Sequence, residues 1–246
     1  MPPINKIALT REAIENGKIH QLIKNGDYGV TFISDEERQN SLKEMFNYQD
    51  ITSDVWLFGY GSLIWNPAIN YSERSPMVVS GYHRKFCLET HMGRGSKDAP
   101  GLMLGLDVGG SCRGMGYRLS PDEAFRELEI IWKREMVTSS YVPRWLSAST
   151  GGEKVKAIGF VVNRKTDRYV GSLEDAEAAQ YISQGSGFLG TCLEYLNNTA
   201  SHLKQNGMPD KYLNRLQAMV NQLKVCLLYT SPSPRDVEES RMPSSA

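Results

Sequence analysis

The sequence predicts an α+β protein, with β-strands in the middle of the chain and helices before and after them. Short apolar or alternating segments separated by glycine and proline turns lie within residues 55–119 and 142–162. Apolar residues at helical spacing flank them on both sides. The 246 residues, 40% of them hydrophobic, suffice for one substantial core. We therefore expect a helical N-terminal extension over residues 1–54 and one main domain over 55–225.

The helices are predicted mainly from their first residues. Ser34 is followed three positions later by Glu37, a capping box, and Ser120 precedes proline with Glu123 in the same relation. Thr10 can cap an earlier helix, which Asn25 and Gly26 would end. The predicted helices cover 10–24, 34–46, 120–136, 173–183, 192–205 and 211–224.

The strands are predicted from β-type residues bounded by turn signals. An apolar run at 55–58 ends in a glycine-containing loop, which is typical of a buried strand. The other predicted strands cover 77–82, 85–89, 103–106, 114–119, 142–147 and 155–162. Glycines 109 and 110, among others, are interpreted as turn positions between them.

Bulk composition excludes several classes of function. Lys and Arg total 28, Asp and Glu total 28, and the two signs are interspersed, so no basic block predicts nucleic-acid binding. No apolar run approaches the roughly 20 residues that a membrane-spanning helix needs, and the N-terminus lacks the apolar stretch of a secretory signal. The four cysteines form no CxxC pair and histidines number four. We expect no metal site, no cofactor, and reduced thiols in a cytoplasmic protein.

The last segment of the chain does not resemble folded protein. Residues 226–236 read CLLYTSPSPRD, which matches the conceptual translation of a transposon-type sequencing-library adapter. We therefore expect residues 226–246 to be a non-native, disordered tail and the native C-terminus to be missing. The alternative is a genuine disordered tail rich in serine and proline.

A glycine-containing loop, Gly59-Tyr60-Gly61-Ser62, follows the first predicted strand. Glycine allows a positive φ and a close approach of the backbone to a ligand. Successive N–H groups in such a turn can hold a carboxylate or an oxygen that gains negative charge. An ordinary turn is the alternative interpretation. The loop is not a dinucleotide-binding motif, because Ile64 occupies the position of the third glycine.

Glu135 is a carboxylate on an apolar face. Phe125, Leu128, Ile131 and Trp132 recur at helical spacing and predict the buried stripe of the helix, with Glu135 on the same stripe. Lys133 and Arg134 are predicted to point away from its centre. Burial raises the pKa of a carboxylate and makes it a better base near neutral pH. The alternatives are a structural glutamate paired with an arginine such as Arg84, or one that reaches solvent at the helix end.

Arg94 lies between two glycines and is a further candidate. It could reach an anion, but a solvated loop arginine is the commoner case.

Together these segments resemble a known family. Residues 55–65, VWLFGYGSLIW, are similar to the opening signature of the ChaC family, the glutathione-specific γ-glutamylcyclotransferases, and the N-terminal extension resembles that of bacterial members. Later segments continue the resemblance in order: 81–86, 114–119, 132–136, 141–143 and 194–196. The similarity covers about residues 55–224.

The resemblance implies a γ-glutamylcyclotransferase-like fold, a small mixed β-barrel with flanking helices. It implies a lyase that cleaves glutathione to 5-oxoproline and cysteinylglycine without metal or cofactor, with Glu135 as the general base. The residues it assigns to substrate binding are Leu57, Phe58, Gly59, Tyr60, Gly61, Ser62, Arg84, Tyr141 and Tyr195. It does not indicate an oligomeric state.

The sequence departs from the family pattern at Leu102, where arginine is expected, at Cys192, and at Phe188, where proline is expected after Gly187. These differences put in doubt how the glycine end of glutathione is held. One alternative is therefore a γ-glutamylcyclotransferase acting on other γ-glutamyl peptides or amines. The other is a non-catalytic, regulatory protein that binds γ-glutamyl groups.

Overall fold

The computed structural model describes residues 7–24, 26, 28, 30–171 and 173–230. Within them the α+β prediction is confirmed, because a closed five-stranded barrel is flanked by helices. The helices are α1 (Arg11–Glu15), α2 (Lys18–Lys24), α3 (Asp35–Met45), α4 (Pro121–Glu135), α5 (Asp175–Gln184), α6 (Cys192–Gln205) and α7 (Lys211–Thr230).

The barrel strands are β1 (Val55–Gly59), β2 (Glu73–Thr90), β3 (Gly101–Leu119), β4 (Tyr141–Thr150) and β5 (Glu153–Val162). Their order is β1-β3-β2-β4-β5, and parallel pairing of β1 with β5 closes the barrel. A two-stranded sheet, β6 (Ser186–Gly187) and β7 (Gly190–Thr191), lies before α6. The closed sheet positions the end of β1 beside the C-terminal end of α4.

The long β2–β3 hairpin differs from the prediction of four short strands. Residues 77–82 and 85–89 belong to one strand, and 103–106 and 114–119 belong to the next. Gly81, Gly109 and Gly110 have positive φ but lie within the strands, and the register shifts between Ser80 and Tyr82. The glycines therefore form an irregularity that bends the hairpin, as a bulge does, instead of ending it.

Helix α4 buries the predicted stripe only in part. Leu128, Ile131 and Trp132 are fully buried, and the Trp132 ring meets Phe160 of the barrel edge to face at 5.0 Å between centroids. Phe125 is 40% exposed, so its assignment to the stripe was wrong. It lies in the first turns of the helix, where no element covers that face strongly enough to bury it.

The caps are partly as predicted. Ser34 and Glu37 form the predicted capping box. Ser120 is the N-cap of α4, but its side chain makes no capping hydrogen bond, so the predicted box with Glu123 is not formed. A box that the sequence analysis did not predict joins Thr191 to Glu194 at the start of α6. It fixes the helix that carries Tyr195.

The N-terminal helix predicted over 10–24 is divided into α1 and α2, because Gly17 has a φ of 64°. Helix α1 lies on α4 and is held there by an ion pair. Arg11 donates hydrogen bonds to both carboxylate oxygens of Glu127, at 2.5 and 2.8 Å. The Glu127 side chain is 1% exposed and also accepts from the backbone N–H of Asn70.

Helix α7 continues to Thr230, so residues 226–230 are helical where the sequence analysis expected disorder. The helical pattern of Lys211–Lys224 has enough good helix formers to propagate past its predicted end. Residues 231–246 lie outside the described residues, and the non-native origin of the tail stays a prediction. In the described part of the chain, no helix is long and apolar enough to cross a membrane.

Cys87, Cys112 and Cys192 are free and buried. Burial raises the pKa of the Cys87 thiol to about 12 and that of Cys192 to about 11, and it also raises the pKa of Cys112. Across the described residues, no three histidine, cysteine, aspartate or glutamate side chains cluster as metal ligands would.

The Arg11–Glu127 pair makes stability depend on pH. Burial alone would raise the pKa of Glu127, but the hydrogen bonds and charge of Arg11 outweigh it and lower the pKa. The pair therefore stabilises the fold above the unfolded pKa, and this contribution is lost as the pH falls through the lower folded pKa. We expect Arg11→Gln to cost about 2 kcal/mol at about pH 7 and much less at about pH 3, measured by urea unfolding.

A suitable control is Arg126→Gln, since the Arg126 side chain is 75% exposed and approaches Glu15 only at 4.0 Å. Its unfolding free energy should lie close to that of the wild type at both pH values, because the charge of Arg126 contributes least to lowering the pKa of Glu127. Equal stability of Arg11→Gln and the wild type at neutral pH would contradict the prediction.

Candidate active site

A cavity of about 500 Å³ lies between the barrel, the C-terminal end of α4 and the N-terminal segment. Both predicted features of the site, the glycine-containing loop and Glu135, line this cavity. The predicted site residues that line it are Tyr60, Gly61, Ser62, Glu135, Tyr141 and Tyr195. Leu57, Phe58, Gly59 and Arg84 lie behind its wall.

The loop is shaped by close packing and not by positive φ. Neither Gly59 nor Gly61 is among the glycines with positive φ, and Gly61 has a φ of −127°, so that part of the interpretation was wrong. A Cβ atom at Gly61 would lie 2.5 Å from the hydroxyl of Tyr195. Glycine is required here because the tyrosine hydroxyl approaches the loop backbone directly.

Glu135 is the last residue of α4, and its side chain is 17% exposed at the cavity. Its Oε1 lies 3.1 Å from Nε of Arg134. Burial raises the pKa of Glu135, and the charge and hydrogen bond of Arg134 act against this rise. The carboxylate is therefore partly desolvated, as a general base needs, while one cation keeps its ionised form accessible.

Arg134 is the main site residue that the sequence analysis misplaced. Its side chain is 3% exposed and does not point into solvent. Nη2 donates to the Ser62 hydroxyl at 2.8 Å, and Nη1 donates to the backbone carbonyl of Asn66 at 2.5 Å. Residues 62–67 cover a second face of the helix end, so periodicity along α4 alone could not reveal this burial.

Arg84 supports the loop from outside the cavity. Its Nε donates to the Tyr60 carbonyl at 2.5 Å, and its Nη1 pairs at 2.5 Å with Asp210, the residue that precedes α7. The alternative in which Arg84 is the partner of Glu135 is thus wrong, because Arg134 holds that position.

Three tyrosines supply uncharged hydroxyl groups to the cavity. Burial raises the pKa of Tyr60, Tyr141 and Tyr195 well above the ordinary value, and the negative charge of Glu135 contributes to each rise. Tyr60 donates to the Phe160 carbonyl and Tyr141 to the Leu104 carbonyl, both at 2.8 Å. The phenols therefore stay neutral and fixed in orientation.

Arg94 is buried and lines the cavity, although a solvated loop residue was expected to be the commoner case. Its guanidinium lies 5.2 Å from the ring centroid of Tyr195 and 5.7 Å from that of Trp65. Nη1 donates to the Thr191 carbonyl at 3.0 Å. Cation–π contacts of this kind hold a positive charge at a defined place in the wall.

Phe188, one of the three departures from the family pattern, lines the cavity. The other two, Leu102 and Cys192, are fully buried and lie beneath Arg94 instead of in the cavity wall. The Cys192 thiol donates to the Arg94 carbonyl at 3.1 Å and to the Leu102 carbonyl at 3.3 Å. They bear on the cavity only through the backbone of Arg94.

Comparison with known proteins agrees with this geometry. The model of the family described as ChaC-like protein matches residues 55–223. The chain belongs to the ChaC-like family.

A relative from Escherichia coli K12, named glutathione-specific gamma-glutamylcyclotransferase, is 38% identical over 77% of this chain and 83% of its own length. A Schizosaccharomyces pombe relative of the same name is 30% identical over 61% of this chain and 83% of its own length. The human glutathione-specific gamma-glutamylcyclotransferase 1 is 29% identical over 70% and 80%.

Among solved structures, the yeast γ-glutamyl cyclotransferase specific to glutathione is similar, with a TM-score of 0.63 and 20% identity. The match covers 70% of this chain and 99% of the yeast chain. This likeness confirms the predicted fold, the small barrel with flanking helices of the ChaC-like family.

Removing the cation beside Glu135 should raise the pKa of this carboxylate. In Arg134→Met, burial acts without the opposing charge, so we expect the pKa of Glu135 to rise further above its ordinary value. The measurement is a carbon-13 NMR titration of the labelled glutamate side chains.

Arg126→Met, which removes a charge from an exposed position of the same helix, should leave that pKa unchanged. An unaltered pKa in a folded Arg134→Met protein would show that this cation does not control Glu135.

Proposed function

We propose that this protein is a γ-glutamylcyclotransferase that cleaves glutathione to 5-oxoproline and cysteinylglycine, with Glu135 as the general base. One observation carries the proposal: Glu135 and the glycine-containing loop line one cavity. They do so in a chain 38% identical to an E. coli relative named for this activity. A cytoplasmic location belongs to the same proposal and is supported by the free, buried thiols of Cys87, Cys112 and Cys192.

The γ-glutamyl group would lie against the part of the loop that lines the cavity, residues 60–62, with its α-amine near Glu135. Loop N–H groups near Gly61 would then approach the γ-carbonyl oxygen. Tyr141 and Tyr195 offer neutral hydroxyl groups in the same wall, and Arg94 offers a positive charge for a substrate carboxylate. Arg84 acts indirectly, by holding the Tyr60 carbonyl at the base of the loop.

The first step is removal of a proton from the substrate amine. A peptide α-amine has a pKa of about 8 and is mostly protonated at neutral pH, so it cannot attack until a base takes the proton. A carboxylate whose pKa is raised by burial, as that of Glu135 is, takes the proton more readily than an exposed one.

The amine then attacks its own γ-carbonyl carbon and closes a five-membered ring. Because both reacting groups belong to one molecule, holding the glutamyl chain bent supplies much of the rate enhancement. Negative charge develops on the carbonyl oxygen, and each well-placed N–H donor stabilises it by about 3 kcal/mol.

The C–N bond to the cysteine nitrogen then breaks, and Glu135 returns its proton to the leaving nitrogen. The freed carboxylate then takes the second proton of the ring nitrogen, which becomes the neutral N–H of 5-oxoproline, and passes it to the released amine. The protons then balance, and no covalent enzyme intermediate is needed. The neutral phenols around Glu135 neither supply nor accept this proton, because their pKa values are raised far above neutrality.

Glu135→Gln tests the base directly. It keeps the size of the side chain and removes the proton acceptor, so 5-oxoproline release from glutathione should fall at least about 100-fold. Release is measured by chromatography under saturating substrate, beside calorimetric binding of glutathione.

Glu123→Gln, at an exposed position in the first turn of the same helix, is the matched control and should keep wild-type turnover. Wild-type release by Glu135→Gln would exclude this residue as the base. Glutathione binding without turnover in the wild type would favour the non-catalytic, regulatory alternative.

A substrate panel separates the proposed activity from the broader one. Glutathione should be cleaved with a kcat/KM at least about tenfold above that of γ-glutamyl amino acids that lack the glycine. The reason is that Arg94 offers a charge beyond the γ-glutamyl group. Comparable kcat/KM values for both would assign the chain to γ-glutamyl peptides or amines in general.

A further inference from the structure

An extended segment at the N-terminus crosses the cavity at its mouth. We call residues 7–11 the strap. They lie outside residues 55–223, which match the ChaC-like family model, and belong to the predicted N-terminal extension. Four of them, Ile7, Ala8, Leu9 and Thr10, line the cavity.

The strap has three anchors on separate parts of the main domain. The Ile7 N–H donates to the Phe188 carbonyl at 3.0 Å. The Asn66 side-chain amide donates to the Leu9 carbonyl at 2.8 Å. Arg11 forms the ion pair with Glu127 of α4. Because these contacts lie on different sides of the cavity, the strap bridges it.

Exposure alternates along the strap. Ile7 and Leu9 are half-buried, whereas Ala8 and Thr10 are exposed although they line the cavity. Residues that face both solvent and a cavity lie at its mouth. Tyr60 and Glu135 are more enclosed, so a substrate bound there by its γ-glutamyl end has to extend toward the strap.

We propose that the strap is the wall that contacts the substrate beyond its γ-glutamyl group, with Leu9 and Ile7 as the side chains that make the contact. The strap thereby sets the affinity for the peptide part of the substrate. This inference rests on the proposed function. The proposed interaction is apolar contact between the branched aliphatic side chains of Ile7 and Leu9 and the peptide that leaves in the reaction.

The anchors make a clean test possible. Leu9 is held to Asn66 through its backbone carbonyl, and Asn66 accepts from Arg134 through its own backbone carbonyl. Shortening the Leu9 side chain therefore leaves both hydrogen bonds in place. It removes the contact with substrate and does not disturb the Arg134–Glu135 pair.

The experiment compares steady-state kinetics on glutathione for the wild type and the double variant Ile7→Ala/Leu9→Ala in the full chain. We expect KM to rise about three- to tenfold, as loss of apolar contacts does, with kcat within about twofold. The conservative variant Leu9→Met should keep a KM near the wild type. Glu12→Ala, exposed on α1 beside the strap, should change neither constant.

A second variant tests the position of the strap without removing a packed side chain. Ala8 is exposed at the mouth, so Ala8→Asp can fold normally and adds a negative charge where the anionic peptide end would lie. KM for glutathione should rise about two- to threefold and recover in added salt, while the neutral Ala8→Asn stays close to the wild type.

The outcomes are distinguishable. If the wild type turns over glutathione and the strap variants keep its KM, the inference is overturned and the proposed function stands. A fall in kcat at constant KM also overturns it, because the strap would then act on the geometry of Glu135. If the wild type releases no 5-oxoproline, the proposed function fails. The inference about the strap is then tested by calorimetry: the Kd of glutathione should be higher for the double variant than for the wild type, and equal Kd values would overturn the inference.

Discussion

The buried guanidinium of Arg134 connects the two halves of the candidate site. It contacts the Glu135 carboxylate, the Ser62 hydroxyl and the Asn66 carbonyl. A buried cation is costly unless its donors are satisfied. The end of α4 and the loop after β1 are therefore held at a fixed separation, since moving either would leave donors of a 3% exposed arginine without partners. Lysine could not make these contacts with the same planar geometry.

The rest of the fold holds this arrangement in place from outside. Antiparallel pairing with β3 and parallel pairing with β5 fix β1 on both sides, so its last residue has a defined position. Arg84 connects the loop to α7 through Asp210. The capping box at Thr191 fixes α6, whose Tyr195 hydroxyl lies against Gly61. The geometry of the candidate site thus depends on several elements that are distant in sequence.

The features of the helices that the sequence predicted correctly are those determined by residues close to one another in the chain. The burial of Leu128, Ile131 and Trp132 follows from helical spacing, and the capping box at Ser34 follows from residue types three positions apart. Phe125 and Arg134 were misplaced because the elements that cover a helix face come from elsewhere in the chain. The resemblance to a family supplied the barrel topology and the assignment of Glu135.

The thiols of Cys87, Cys112 and Cys192 are free but buried, which makes them poor nucleophiles toward disulfides. Only a thiolate attacks a disulfide, and burial raises the pKa of Cys87, Cys112 and Cys192. Oxidised glutathione, which accompanies the reduced peptide in cells, therefore meets no reactive sulfur among these three cysteines. Under the proposed function the substrate is itself a thiol, and burial would keep these three cysteines from forming mixed disulfides with it.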